Sequence, residues 1–113
     1  MDKRVSKRAQ ERDDRVWKAL SDPIRRALLD RLRKGPATTG QLAESQSQLT
    51  RFGVMKHLGV LVDAGLVLVE REGRERWNHL NAVPIQEIYR RWIRPFDAEA
   101  ADGLLRMKRR VER

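Results

Sequence analysis

The side chains able to do chemistry in this sequence are few and mostly of one kind. The chain of 113 residues has no cysteine and two histidines, His57 and His79, but 25 Lys and Arg against 16 Asp and Glu. Two short stretches combine such groups with residues that could face one ligand. TRFGVMKHLGVLVDAGL carries Thr50, Arg51, Met55, Lys56 and His57, and REGRERW carries Arg71, Arg74 and Arg76. Such groups recognise anions; they do not by themselves make or break bonds. Without cysteine there is no thiolate nucleophile, disulfide or Cys-ligated metal site. A zinc site built on two histidines would need carboxylate ligands as well, a minority arrangement. No Ser-His-Asp spacing, phosphate-binding glycine loop or paired carboxylate motif is present. The expectation is a protein that is not an enzyme and needs neither metal nor cofactor.

The formal charge of +9, with 36% of residues charged, suits a polyanionic partner, either nucleic acid or an anionic membrane surface. No apolar run approaches the roughly 18 residues of a membrane-spanning helix. The N-terminal MDKRVSKRAQERDD also lacks the apolar stretch of a secretory signal. These features favour nucleic acid over membrane and a cytoplasmic location.

The elements that must position the basic groups can be read from periodicity and stop signals. Residues 1–12 form a basic arm or solvated helix start, and apolar periodicity begins at Val16, Trp17 and Leu20, giving a first helix over 13–20. Ser21-Asp22-Pro23 restarts a helix, with Pro23 in its first turn, and Gly35-Pro36 stops it. Thr38 or Thr39 caps a very short third helix, and SQSQL is a polar turn. Thr50 caps the fourth helix, whose buried stripe is Val54, Leu58, Leu61 and Val62, and Gly65 ends it. LVLVER and ERWNHL pair as a hairpin around Gly73. A further helix follows over 83–93, ended by Pro95. The tail from Asp97 can form a last helix closing on the basic run RMKRRVER. The length allows one domain with one modest core.

Helices joined by a polar turn, followed by a hairpin with arginines at its tip, form the order of a winged helix-turn-helix. The later helix of the pair then lies in the major groove. Arg51 can bond a guanine edge bidentately, Thr50 and Lys56 can hold phosphates, and Met55 can touch a thymine methyl. Gly53 allows close approach of a DNA backbone, and Gly59 suggests tight packing. His57, beside the buried stripe, fits either a phosphate contact or partial packing with one hydrogen bond. The wing arginines suit the backbone or a minor groove, though charged edge strands also guard against aggregation. Trp17 and Trp92, on outer helices, point to a partner surface.

The runs ALSDPIRRALLDRL, TTGQLAES, LTRFGVMKHLGVLVDAGLVLVEREGRERWNHL and NAVPIQEI resemble the ArsR/SmtB family of winged helix-turn-helix repressors, in its cysteine-free, SdpR-like branch. The likeness covers about residues 15–93. It implies a mainly α fold with a small β-hairpin and helical dimerisation elements at both ends. It also implies a cytoplasmic homodimer that binds an inverted-repeat operator in double-stranded DNA. The positions matching DNA contacts are Thr50, Arg51, Met55, Lys56 and His57 on the reading helix, with Arg71, Arg74 and Arg76 on the wing. The dimer surface falls on Trp17, Leu20, Ile88, Tyr89 and Trp92. Many relatives have a small hydroxyl residue where this chain has Met55.

Metal-sensing members place cysteines before the reading helix, or His and carboxylates in the late helix. QLAES and IQEIYRRW supply neither set, so metal sensing is not implied. Two alternatives stand beside the repressor: a winged-helix protein-interaction module, and a repressor answering a small molecule bound near Trp17, Tyr89 and Trp92. The expected organisation is a basic arm over 1–12, a winged domain with dimerisation helices over 13–95, and a basic C-terminal helix or tail over 96–113.

Overall fold

A computed structural model describes residues 6–112, apart from the side chains of residues 98 and 99. Helix α1, Lys7–Leu20, leads to α2, Pro23–Leu32, and to a short strand β1, Ala37–Thr38. Helix α3, Thr39–Ser45, and helix α4, Arg51–Asp63, form the helix-turn-helix pair. Strands β2, Val67–Glu72, and β3, Glu75–Leu80, make the hairpin, followed by α5, Val83–Ile88. The chain continues as a π-helical turn, Tyr89–Ile93, and ends in α6, Ala98–Val111.

The boundaries follow the capping chemistry. Asp22 accepts hydrogen bonds from the N–H groups of Ile24 (2.8 Å) and Arg25 (3.2 Å), so Pro23 enters α2 where its missing N–H costs nothing. Thr38 and Gln41 form a reciprocal capping box at α3. Thr50 caps α4 by accepting from Gly53 N–H at 3.0 Å. Gly65 leaves α4 at φ 77°, a conformation that glycine adopts without a Cβ clash.

Three features differ from the sequence reading. The first helix begins at Lys7, not near residue 13, with Ser6 capping Ala9 N–H and Ala9 buried. Its first turns are charged, and Glu11 and Asp14 stand four residues ahead of Arg15 and Lys18, an order that supports an exposed helix. The portion of the proposed arm over 1–5 lies outside the described residues. The hairpin also has a third strand, in the order β1-β3-β2, with Ala37 opposite Asn78 and Thr38 opposite Trp77. Two residues carry no periodicity, so β1 left no pattern to read. The helix after the hairpin loses its α register after Ile88 and continues as a five-residue π-helical turn, Tyr89–Ile93.

The core joins Val16 and Ala19 of α1, Leu28, Leu29 and Leu32 of α2, Leu42 of α3, and Val54, Leu58 and Leu61 of α4. Leu66, Val67 and Ile88 close it from the other side. The predicted stripe of α4 is therefore the packed one, and Val62 lies at its edge, half-buried. Asn78 is fully buried and donates through Nδ2 to Ala37 O and Thr39 Oγ1, both at 3.2 Å. That side chain fixes the base of the wing to the start of α3.

Candidate nucleic-acid interface

Burying Val54, Leu58 and Leu61 turns Arg51, Phe52, Met55 and Lys56 of α4 outward, where all four are exposed. Positions 51, 52, 55 and 56 make one continuous helical face. Thr50 spends its hydroxyl oxygen on the α4 cap, leaving its O–H as a donor at the same end. Phe52 escaped the sequence reading; it is 66% exposed, and Lys56 Nζ sits 4.8 Å from its ring centroid. The ring steadies the ammonium on the surface by a cation–π contact.

The wing reaches the same side of the molecule. Arg51 and Met55 share a cleft of about 290 Å³ with Arg71, Arg74 and Arg76. Thr38, Thr39 and Gly40 line it at the start of α3, and Glu75 is the acidic group among its lining residues. Arg76 is half-buried, and its Nε is buried without a hydrogen-bond partner among the described residues. Gly73, at φ 62° and first of the two central turn residues, lets the hairpin reverse tightly enough to bring Arg71, Arg74 and Arg76 together. Thr50, Lys56 and His57 lie outside the cleft.

His57 is half-buried, and its Nδ1 lies 3.3 Å from Arg25 Nη1. Its partner, Arg25, stands on α2, 32 residues away in the chain. Asp22 sits beside this pair. Burial raises its carboxyl, but the N–H groups of Arg25 and Ile24 and the charges of Arg25 and His57 together lower it below its ordinary value.

Gly59 takes a different explanation from the expected one. A Cβ at Gly59 would meet nothing within 4 Å, so tight packing does not account for it. At Gly53 a Cβ would sit 3.5 Å from Thr50 Oγ1, an ordinary contact, so the fold itself does not demand glycine there either.

The residues read as a partner surface divide. Ile88 is 2% exposed and belongs to the protomer's own core, because the α5 stripe turns inward at that position; Leu20 is half-buried at the core edge. Neither offers a partner much surface. Trp17, Tyr89 and Trp92 are exposed. Trp17 and Trp92 line one depression with Asp13, Asp14 and Arg91, and Arg91 Nη2 binds Asp13 Oδ1 at 2.5 Å. Trp92 meets Phe96 edge-on at 5.3 Å. Leu104, Leu105, Met107 and Val111 of α6 add further exposed apolar surface.

Among the described residues no three His, Asp or Glu side chains gather as a metal-holding group, and no helix is long and apolar enough to cross a membrane.

A short helix, a polar turn, an outward-facing basic helix and an arginine-bearing hairpin define a winged helix-turn-helix domain. Comparison with known proteins narrows the class. Residues 20–70 match a helix-turn-helix domain family. The chain is 35% identical to the uncharacterized HTH-type transcriptional regulator YuzN of Bacillus subtilis over 71% of its own length and 94% of that protein. It is also 35% identical to the transcriptional repressor SdpR of Bacillus subtilis, over 64% of its own length and 79% of that protein. The solved structure of an ArsR-like transcriptional regulator from Rhodococcus sp. RHA1 superposes with a TM-score of 0.67 at 27% identity, covering 88% of this chain and 92% of that one. The chain belongs to the ArsR family of winged helix-turn-helix transcriptional regulators.

Proposed function

We propose that this family member acts as a homodimeric, cytoplasmic repressor that binds an inverted-repeat operator in double-stranded DNA, without metal sensing, cofactor or enzymatic activity. The observation that carries the reading is the shared cleft: Arg51 and Met55 of the reading helix line it together with Arg71, Arg74 and Arg76 of the wing. A free-standing solvated helix face would not need a second basic element at the same edge. In this reading Arg51 addresses a base edge, and Met55 lies against thymine methyl groups. Thr50, Lys56 and His57 hold phosphates, and the wing arginines follow the backbone into the neighbouring groove.

Dimerisation through Trp17, Tyr89 and Trp92 would set two reading helices about one turn of DNA apart, ~34 Å. The exposed aromatic area and the Asp13–Arg91 pair between α1 and the π-helical turn support that face. The winged domain over 13–95, together with the earlier turns of α1, is the working unit, and α6 extends its partner surface. A second reading, a small-molecule-responsive repressor, draws on the depression of about 330 Å³ lined by Trp17 and Trp92. A thermal-shift screen in which no organic compound stabilises the protein would remove its support.

Retention on random duplex DNA at low salt tests the main reading. Binding should weaken steeply as salt rises, by a slope of about 0.9 per phosphate neutralised. Absence of retention would favour a protein-interaction module instead.

A further inference from the structure

His57 and Arg25 fix each other in a way that bears on how the reading helix meets DNA. A guanidinium carries five N–H donors, has no acceptor and stays protonated. Its contact with His57 Nδ1 at 3.3 Å therefore makes Nδ1 the acceptor. In a neutral imidazole the proton must then sit on Nε2. Among the described residues no acceptor is paired with Nε2, and His57 is only half-buried. Exposed Lys56 precedes it on the same helix.

Arg25 has little freedom to leave. Its Nε donates to Ala19 O at 2.8 Å and its Nη2 to Lys18 O at 2.9 Å, and its side chain is 12% exposed. Those two carbonyls belong to the last turn of α1, where unpaired C=O groups and the helix dipole favour a cation. Asp22, capping α2, lies 4.0 Å from Nη1. One guanidinium thus joins the end of α1, the start of α2 and the middle of the reading helix.

We infer that Arg25 is a positioning residue for DNA binding: it holds His57 in the tautomer whose Nε2–H faces outward as a donor to a backbone phosphate. The inference rests on the DNA-binding reading above. It gives His57 both roles that its place beside the buried stripe suggested, with one nitrogen for packing and the other for the ligand.

The test uses the full chain and a duplex operator obtained by selection from random sequences. Ring nitrogen chemical shifts of His57 are recorded in the free protein at neutral pH, and affinities are measured for Arg25→Lys, His57→Gln and His57→Asn. The wild type should show a bare Nδ1 and a protonated Nε2. Arg25→Lys, which loses the planar fork, should mix the tautomers and weaken binding about tenfold. His57→Gln places an amide near the position of Nε2 and should stay within about threefold of wild type, whereas His57→Asn reaches only the position of Nδ1 and should lose about tenfold. Thermal melting of each variant separates misfolding from lost contact, and the Gln and Asn pair decides the matter if Arg25→Lys does not fold. A protonated Nδ1 in the wild type, or equal losses for Gln and Asn, would overturn the inference while leaving DNA binding intact. A wild type that bound no duplex would overturn both.

Discussion

Arg71 and Arg76 stand directly opposite each other across the wing, and Glu72 faces Glu75 one step nearer its tip. Like charges at directly opposed positions weaken a hairpin. The free protein therefore carries an electrostatic cost at the wing that a polyanion would remove at the arginine pair.

Replacing Arg71 by Thr should relieve one of those pairs and keep a residue suited to a strand. We expect the melting temperature to rise slightly, by the equivalent of about 0.2–1 kcal/mol. Affinity should fall for all DNA sequences alike, with the salt slope reduced by about 0.9. Arg74, in the turn, has no opposed partner in the ladder. Arg74→Ala should show the same loss of affinity and salt slope without the gain in stability, as salt titrations and thermal melts of the two variants would reveal.

The glycines of the reading helix offer a paired experiment. Glycine in a helix interior costs about 1 kcal/mol relative to Ala, and neither Gly53 nor Gly59 would clash as Ala. Gly53→Ala and Gly59→Ala should each stabilise the fold by about that amount. Only Gly53→Ala, near the DNA end of the helix, should weaken operator binding. Equal affinity for both variants would remove close backbone approach as the reason for Gly53.

Asp22 gives a pH dependence whose sign is fixed. Its carboxyl titrates below its ordinary 3.8 in the folded chain, so the stability it adds is present above that value and is lost as pH falls through the lower folded value. Asp22→Asn, still able to cap, should change stability little at neutral pH and flatten the acid limb of the stability curve. Asp22→Ala should cost about 0.5–2 kcal/mol at neutral pH. Urea melts between neutral and strongly acidic pH would measure both.

Trp92, at 59% exposure, makes an aromatic contact with Phe96 and none of the core. Trp92→Asp should leave the protomer folded and shift the monomer–dimer equilibrium toward monomer by at least about tenfold. Sedimentation would detect the shift, and circular dichroism would verify the fold.

How far the sequence could be read depended on whether a residue's role was local. Thr50 and Gly65 bound the reading helix as their types predict, and the packing of Val54, Leu58 and Leu61 decides which face Arg51, Met55 and Lys56 present. Arg25 could not be found that way, because its partners are carbonyls of α1 and a ring on α4, 32 residues away in the chain. Asn78 is a similar case: it reads as an ordinary strand residue until β1 closes over it. Phe52 leaves no such signal, because an exposed aromatic interrupts the apolar period instead of marking it. Ile88 packs inward although its stripe also carries exposed Trp92, because periodicity gives the spacing of a stripe but not which neighbour each residue meets.

In the proposed function Arg51 on α4 reads a base within a repeated operator. The most direct measurement is selection of bound sequences from random duplex DNA by the wild type and by Arg51→Ala. The wild type should enrich an inverted repeat with half-sites one helical turn, ~34 Å, apart, and Arg51→Ala should keep the repeat but lose preference at one position in each half. Identical ranked sequences from both proteins, or no enriched repeat from the wild type, would contradict it.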